Sequence, residues 1–172
     1  MRICLPCLSG LLSERPSRSS NELLEGSGMS NTFTVSLVCW HDGEPLLKSV
    51  RQAVFIDEQG ISPELEWDGL DESCRHALVL SSQGEAIGCG RMLADGHIGR
   101  IAVLPAWRHR KVGTAVVEAL LSHARAHHYP AVDVDAQLHA VPFYRTFGFE
   151  EEGETFLDAD LPHIKMRLKL SE

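Results

Sequence analysis

A short basic segment that follows an apolar stretch combines residue types that suit chemistry on a phosphorylated ligand. Arg108, Arg110 and Lys111 stand close together, and Gly113 and Thr114 follow directly. The first turn of the helix predicted there has unpaired N–H groups and a partial positive charge, which favour a bound diphosphate. A glycine lets such a ligand approach the backbone. A solvated basic loop before an ordinary helix is the alternative interpretation of this segment.

Candidate acid and base groups lie elsewhere in the chain. Tyr144 belongs to a group of aromatic residues at helical spacing. Its phenol could protonate a leaving group, although this spacing is also typical of core residues. Glu58 and His76 offer a carboxylate and an imidazole. Weaker candidates for a base are two carboxylates on one face of a predicted strand and a histidine near the C-terminus, namely Asp133, Asp135 and His163. A structural role stays open for each.

The elements that carry these residues follow a mixed α/β pattern. Alternating or β-branched segments predict strands at 34–40, 76–80, 86–94, 98–103, 131–136, 151–157 and 164–170. Apolar residues at helical spacing predict helices from Pro45, in the first turn, to about Gly60, over 112–127 and over 140–147. The acidic stretch 60–74 predicts a loop or a short irregular helix. Hairpins therefore come first, and strand–helix–strand units follow.

Composition limits the class of protein. The 172 residues suffice for one domain with its own core. A net charge of −8 disfavours nucleic-acid binding, which needs basic surface to neutralise phosphates. No apolar run approaches the roughly 18–20 residues that span a bilayer, so we expect no membrane partner. Five scattered cysteines do not form a disulfide framework, which favours a reducing, cytoplasmic location.

The N-terminal segment differs from the rest of the chain. Residues 1–28 are rich in Ser and Leu, contain Pro and Gly, and show no sustained hydrophobic period. We expect this segment to be a disordered tail and residues 29–172 to form the domain. A signal peptide is the alternative, because Arg2 precedes an apolar run. However, Pro6 interrupts that run and no small-residue cleavage site follows.

The region around the basic segment resembles the GNAT superfamily of N-acetyltransferases. The superfamily's pyrophosphate loop reads Arg/Gln-x-x-Gly-x-Gly/Ala after a strand of the type (Ile/Leu)-x-Val-x-Pro. Here IAVLP at 101–105 precedes RHRKVG at 108–113, and residues 136–149 look like the family's strand, helix and FYxxxGF signature. Three further segments are similar to the ElaA-like branch, namely 51–59, 75–76 and 162–166. The resemblance covers about residues 34–170.

This resemblance implies a mixed α/β, GNAT-like fold. The expected architecture is a central, mostly antiparallel twisted sheet of about six to seven strands flanked by about four helices. The order is β-α-(α)-β-β-β-α-β-α-β-β. The implied function is an N-acetyltransferase that moves an acetyl group from acetyl-CoA to a primary amine by direct attack in a ternary complex.

The resemblance also implies roles for particular residues. Those expected to bind acetyl-CoA are Ile101, Ala102, Val103, Arg108, Arg110, Lys111, Val112, Gly113, Thr114 and Gln137. A backbone N–H near Val103 would stabilise the developing oxyanion. Tyr144 is similar in position to the family's general acid, and Glu58 and His76 are the candidates on the acceptor side.

One departure from the family pattern concerns Lys111, which stands where the family usually has a glycine. If this position needs a positive φ, lysine costs roughly 1–2 kcal/mol of strain. If it does not, the ammonium only adds attraction for phosphate.

Several alternatives stay open at this point. A non-catalytic acyl-CoA-binding or regulatory module would share the fold, and a nucleotide-binding module could use the same basic loop. His123 and His127 are neighbours on a helix, but no carboxylate or cysteine completes a zinc set by spacing, so no metal is expected. We expect the acceptor to be a small-molecule or peptide amine, and the chain to be a monomer or a homodimer.

Overall fold

The computed structural model describes residues 32–170. The prediction of a disordered tail at 1–28 lies outside these residues. Within them, the seven strands are β1 (Phe33–Val38), β2 (Arg75–Ser81), β3 (Ala86–Met92), β4 (His97–Val103), β5 (Ala131–Gln137), β6 (Glu150–Asp158) and β7 (Leu161–Lys169). The four α-helices in this range are α1 (Trp40–Arg51), α2 (Pro63–Glu66), α3 (Val112–Ala126) and α4 (Val141–Arg145). No helix in the described range is long and apolar enough to cross a bilayer.

The strands form one sheet in the order β1-β2-β3-β4-β5-β7-β6. Neighbouring strands are antiparallel except β4 and β5, which run parallel. The long connection through α3 makes this parallel pair possible, since parallel neighbours need a crossover rather than a hairpin. The predicted mixed α/β fold and its element order are confirmed.

Helices cover both faces of the sheet. On one face, α3 and α4 pack on the inward side chains of β2 to β5 and β7, around Leu120 and Met166. On the other face, α1 buries Leu47 and Val50 against β2, β3 and β4. Two glycines of β3 allow α3 to come close: a Cβ on Gly88 would lie 2.6 Å from Val112 Cγ1.

The first helix begins earlier than the sequence predicts. Trp40, assigned to the preceding strand, starts α1, and Pro45 lies inside the helix rather than in its first turn. The missing N–H of Pro45 costs one hydrogen bond, which the buried face of α1 outweighs. A π-helical segment, Gln52–Glu58, continues α1 and ends at Glu58.

A buried ionic network ties α1 and the 63–73 segment to the sheet. The side chain of Arg51 is 1% exposed and pairs with Glu66 and with Asp71, the latter at 2.7 Å. Arg91 on β3 pairs with the same Asp71 oxygen at 2.8 Å. Because a buried charge is stable only when paired, these contacts determine where the acidic segment lies.

Candidate active site

The sheet opens between β4 and β5. These strands pair at only two positions, where His97 and Ile98 at the start of β4 meet Asp133 and Val134 of β5. Beyond Ile98 the edge of β4 that faces β5 has no described strand partner. The result is a cleft that is closed where the two strands begin and open toward Val103.

At the base of this cleft, a β-bulge in β4 changes which of its residues point to each face of the sheet. Arg100 adopts φ 52, and the register with β3 shifts at this point. Before the bulge Ile98 packs toward α3, whereas after it Ile101 and Val103 do so. The Arg100 side chain pairs with Glu66 at 2.8 Å, so the ionic network supports the bulge.

Val103 presents its backbone to the cleft. The N–H of the next residue, Leu104, donates to Ile87 O on β3 at 3.0 Å. Because peptide groups alternate in direction along a strand, the N–H and C=O of Val103 point away from β3. The Val103 carbonyl accepts a hydrogen bond from Arg108 Nε at 3.1 Å, which agrees with that direction.

The loop after β4 has two residues in the left-handed region, His109 at φ 60 and Lys111 at φ 64. The family glycine position that Lys111 occupies therefore does require positive φ here, with the strain that lysine brings. Successive N–H groups in such a loop form a concave surface suited to an anion. Trp107 is buried beneath the loop, and the Arg110 guanidinium lies 5.4 Å from its ring centroid.

The first turn of α3 directs free N–H groups to this surface. The first bond of the helix runs from Ala115 N to Lys111 O, and no side chain caps the helix. The N–H groups of Val112, Gly113 and Thr114 therefore have no intrahelical acceptor. A Cβ on Gly113 would lie 3.6 Å from Phe143 and 3.7 Å from Val103, so α3, α4 and β4 meet here.

Arg108 forms a bidentate ion pair with Glu58 across the open end of the cleft. Its two terminal nitrogens lie 2.8 and 2.5 Å from the Glu58 oxygens. The hydrogen bond from Arg108 lowers the pKa of Glu58, and Glu58 raises that of Arg108. Two residues predicted for different roles are thus partners, and the pair is exposed to solvent.

Tyr144 lies on α4, next to the place where α3, α4 and β4 meet. Its ring packs edge-on against Phe143 and Phe149, at 5.2 and 5.8 Å between centroids. Burial alone raises the pKa of Tyr144 to about 12, so the hydroxyl stays protonated at neutral pH. Among residues 32–170 no side chain or backbone group forms a hydrogen bond with this hydroxyl. The phenol is therefore a proton donor held by packing.

The remaining predicted residues divide into two groups. Gln137 ends β5 at the open end of the cleft, where its amide donates to Gln59 Oε1 at 3.3 Å. His76 instead lies on β2, two strands from the cleft, with its ring 5.3 Å from that of Trp40 and Nε2 2.9 Å from Asp71 O. Burial lowers the pKa of His76. The structure thus places His76 away from the cleft, because α1 and the acidic segment cover it.

A cluster at the closed end of the cleft was only partly foreseen. His97 Nδ1 lies 2.8 Å from Asp133 Oδ2, and polar atoms of His97, Asp133 and Asp135 lie within 4.8 Å of one another. Partial burial opposes ionisation of Asp133, but His97 and Lys165 outweigh it and lower its pKa. The two aspartates were candidates from their shared strand face. His97 was missed, because only the parallel register of β4 and β5 brings it beside them.

Comparison with known proteins agrees with this geometry. The sequence profile described as "Acetyltransferase (GNAT) domain" matches residues 48–170. The uncharacterized N-acetyltransferase YjcF of Bacillus subtilis is 36% identical over 121 residues, which cover 68% of this chain and 86% of YjcF.

Two solved structures share the fold. The crystal structure of Escherichia coli ElaA is 31% identical with a TM-score of 0.69, and the match covers 79% of this chain and 99% of ElaA. An acyl-CoA N-acyltransferase from Pseudomonas aeruginosa is 28% identical with a TM-score of 0.70 over 79% of this chain and 99% of that one. The expected likeness to the ElaA branch is confirmed. With its split β4–β5 pair and the helix start beside it, this chain belongs to the GNAT acetyltransferase family, which transfers acyl groups from acyl-CoA.

Proposed function

We propose that this protein is an acetyl-CoA-dependent N-acetyltransferase that acts on a primary amine by direct attack within a ternary complex. The observation that carries the proposal is the unpaired edge of β4, which ends at a helix start with free N–H groups. A linear thioester with a diphosphate at its far end fits this arrangement. The diphosphate binds at the helix start, and the arm lies along the strand edge.

The loop and the first turn of α3 bind the diphosphate. N–H groups from Arg110 to Thr114 supply the contacts, and the charges of Arg108, Arg110 and Lys111 add attraction. Arg108 is paired with Glu58 in the free protein, so the diphosphate competes with Glu58 for the guanidinium. Ile101, Ala102 and Val103 offer their backbone to the pantetheine arm, and Gln137 faces them from β5.

The chemistry needs a polarised carbonyl and a proton for the leaving thiolate. The Val103 N–H, which points into the cleft, stabilises the oxyanion that forms when the amine attacks. Tyr144 donates its proton to the thiolate, a role consistent with a hydroxyl that stays protonated at neutral pH. Glu58 stands on the acceptor side. Its lowered pKa makes it a weak base while Arg108 is bound.

The test is thermal melting of the purified protein with acetyl-CoA, CoA or ADP. A ligand that binds only the folded state raises its stability in proportion to RT ln(1 + [L]/Kd). We expect acetyl-CoA and CoA to raise the melting temperature more than ADP does. The absence of a shift at millimolar acetyl-CoA would refute the proposal.

The variant Gly113→Ala tests where acetyl-CoA binds. In Gly113→Ala, the added Cβ makes only ordinary contacts with Phe143 and Val103, and alanine favours helix. We expect the unliganded variant to melt no lower than the wild type. The acetyl-CoA shift should shrink, because the methyl group lies where the diphosphate approaches. An undiminished shift would place the ligand elsewhere.

Turnover separates an enzyme from a non-catalytic acyl-CoA-binding module. A panel of primary amines, incubated with acetyl-CoA and the protein, is assayed for release of free thiol. We expect at least one amine to give thiol release above that seen with acetyl-CoA alone. Binding without turnover across small-molecule and peptide amines would favour the non-catalytic module.

A further inference from the structure

A cavity that the proposed reaction does not use lies between the solvent side of α1 and the 67–72 segment. Its volume of about 640 Å³ is within the roughly 300–1,000 Å³ of small-molecule sites. We propose that this cavity binds a protonated alkylamine, whose ammonium group takes the place between Trp40 and Trp67 that the Lys48 ammonium now occupies. This binding does not depend on the acetyl transfer proposed above.

Two indole rings form the walls of the cavity. The Lys48 ammonium lies 5.7 Å from the centroid of the Trp40 ring and 5.8 Å from that of the Trp67 ring. Both distances are within the roughly 6 Å over which an aromatic face attracts a cation. Because one ammonium is in reach of both rings, the two rings form a cage for a cation, and Lys48 marks its position.

The floor of this cage is already neutral and fixed. The Arg51 guanidinium carbon lies 4.8 Å from the Trp67 ring centroid. Glu66 and Asp71 pair with Arg51 and offset its charge. The Arg51 side chain is buried, so it cannot swing out to meet an anionic ligand.

Lys48, in contrast, is held at the mouth of the cage by weak contacts. Its side chain is 47% exposed and pairs with Glu44, one helical turn away, at 2.6 Å. An exposed pair of this kind contributes little to stability. A cation from solution can therefore displace the Lys48 ammonium at small cost.

The polar groups of the lining favour a ligand with N–H donors. The Ser49 hydroxyl donates its hydrogen to Leu46 O at 2.8 Å, so its oxygen has only lone pairs left for a ligand. Glu72 lines the other side of the cavity, and its carboxylate forms no ion pair within residues 32–170. A carboxylate accepts hydrogen bonds from an ammonium group and repels an anion. Because both basic side chains of the cage are paired, this carboxylate favours a cation.

The cavity is separate from the cleft. The Trp40 ring lies 5.3 Å from the ring of His76 on β2, and β2 is two strands from β4. None of the residues proposed to bind acetyl-CoA line the cavity. The alkylamine and acetyl-CoA therefore do not compete for the same residues.

The first test follows the indole N–H signals in ¹H–¹⁵N spectra, with n-butylammonium as the probe because it copies the end of a lysine side chain. The chain has three tryptophans, and Trp40→Phe and Trp67→Phe assign their signals. We expect the probe to shift the signals of Trp40 and Trp67 and to leave that of Trp107 unchanged. Trp107 is the matched internal control, because its ring also contacts a cationic side chain, Arg110, at 5.4 Å.

Two further titrations isolate the role of the charge. The neutral analogue 1-butanol should shift these signals much less than n-butylammonium does, because it lacks the cation that the rings attract. Sodium chloride at the same ionic strength controls for the net charge of −8, which attracts any cation weakly.

The variant Lys48→Ala tests whether Lys48 occupies the site. We expect its dissociation constant for n-butylammonium to be roughly fivefold lower than that of the wild type, because the probe no longer displaces an internal ammonium. Lys169→Ala removes the same charge from an exposed position of β7 and should bind the probe as the wild type does.

Three outcomes would overturn the proposal. Unmoved Trp40 and Trp67 signals in Lys48→Ala would show that the cavity binds no alkylammonium. An equal response to 1-butanol would show that the rings do not select a cation. A dissociation constant for Lys48→Ala equal to that of the wild type would show that Lys48 does not fill the site.

Discussion

At the residue scale, Lys111 and Tyr144 are each held in a state that their surroundings impose. Lys111 adopts φ 64 at the start of α3, a conformation that costs a lysine roughly 1–2 kcal/mol. Tyr144 keeps a hydroxyl without a described partner inside an aromatic cluster. Such local costs concentrate at functional sites, and both residues lie next to the cleft.

The strain at Lys111 can be measured directly. Lys111→Gly should raise the stability of the free protein by about 1 kcal/mol, or roughly 2–4 °C in melting temperature, because glycine adopts positive φ readily. The acetyl-CoA affinity should fall modestly as one charge is lost. Lys48→Gly, at an exposed position of α1 where the backbone is helical, is the control and should lower the stability. A lower melting temperature for Lys111→Gly would show that the loop is unstrained.

The role of Tyr144 is separable from its packing. Tyr144→Phe retains the ring contacts and removes a hydroxyl without a described partner, so the melting temperature should not fall. If the phenol protonates the thiolate, kcat should drop roughly 10²-fold. Thiol release with the amine acceptor gives kcat, and thermal melting gives stability. Unchanged kcat would assign Tyr144 to packing alone.

At the element scale, the close approach of α3 to β3 positions the helix start. A Cβ on Gly90 would lie 2.6 Å from Val116 Cγ1 and 3.2 Å from Ile101 Cγ1. The helix can therefore settle against β3 only where that strand has no side chains. This packing holds the first turn of α3 beside the end of β4, where the diphosphate is proposed to bind.

One added methyl group at this contact tests the packing. Gly90→Ala should destabilise the protein by about 1–3 kcal/mol, because a branched valine cannot move away without disturbing α3. Urea denaturation measures the loss. Gly99→Ala, on the neighbouring strand, adds its methyl at an ordinary 3.5 Å contact and should leave stability nearly unchanged. Equal stability of the two variants would contradict the steric account.

At the scale of the whole molecule, the ionic network joins α1, the acidic segment and the sheet. Asp68 pairs with Arg91, and it lies 3.2 Å from Arg100 at the bulge. The hydrogen bond from Arg91 is the main cause that lowers the pKa of Asp68 from 3.8 to about 2. The network therefore connects packing far from the cleft to the strand that lines it.

This network predicts part of the acid sensitivity of the fold. The pKa of Asp68 is lower in the folded protein than its ordinary value of 3.8, so the ionised carboxylate stabilises the folded state at pH values above 3.8. This stabilisation is lost as the pH falls toward the folded-state pKa of about 2. Because Asp68 is partly exposed and solvent screens its charge, Asp68→Asn should lose only about 1 kcal/mol at pH 7. Its deficit relative to wild type should shrink from about pH 4 downward. Urea denaturation at several pH values measures this. Exposed Glu72→Gln is the control, and a deficit independent of pH would exclude the ion pair as the cause.

The sequence by itself determined the element order and the position of the segment that we propose binds a diphosphate. The spacing of apolar residues along the sequence located every strand and the long helix α3, because burial of one face imposes that spacing. Charges and a glycine beside a helix start marked residues 108–114, since this chemistry is local along the chain. The start of α1 was misplaced, because packing outweighs the local signal of Pro45.

Only the tertiary structure decided which distant side chains meet. It paired Glu58 with Arg108, buried His76 under α1, and placed His97 against Asp133. It also showed that Lys111 has positive φ. Each of these depends on strand register, on the bulge at Arg100 or on helix packing, which arise from contacts between residues far apart in the chain.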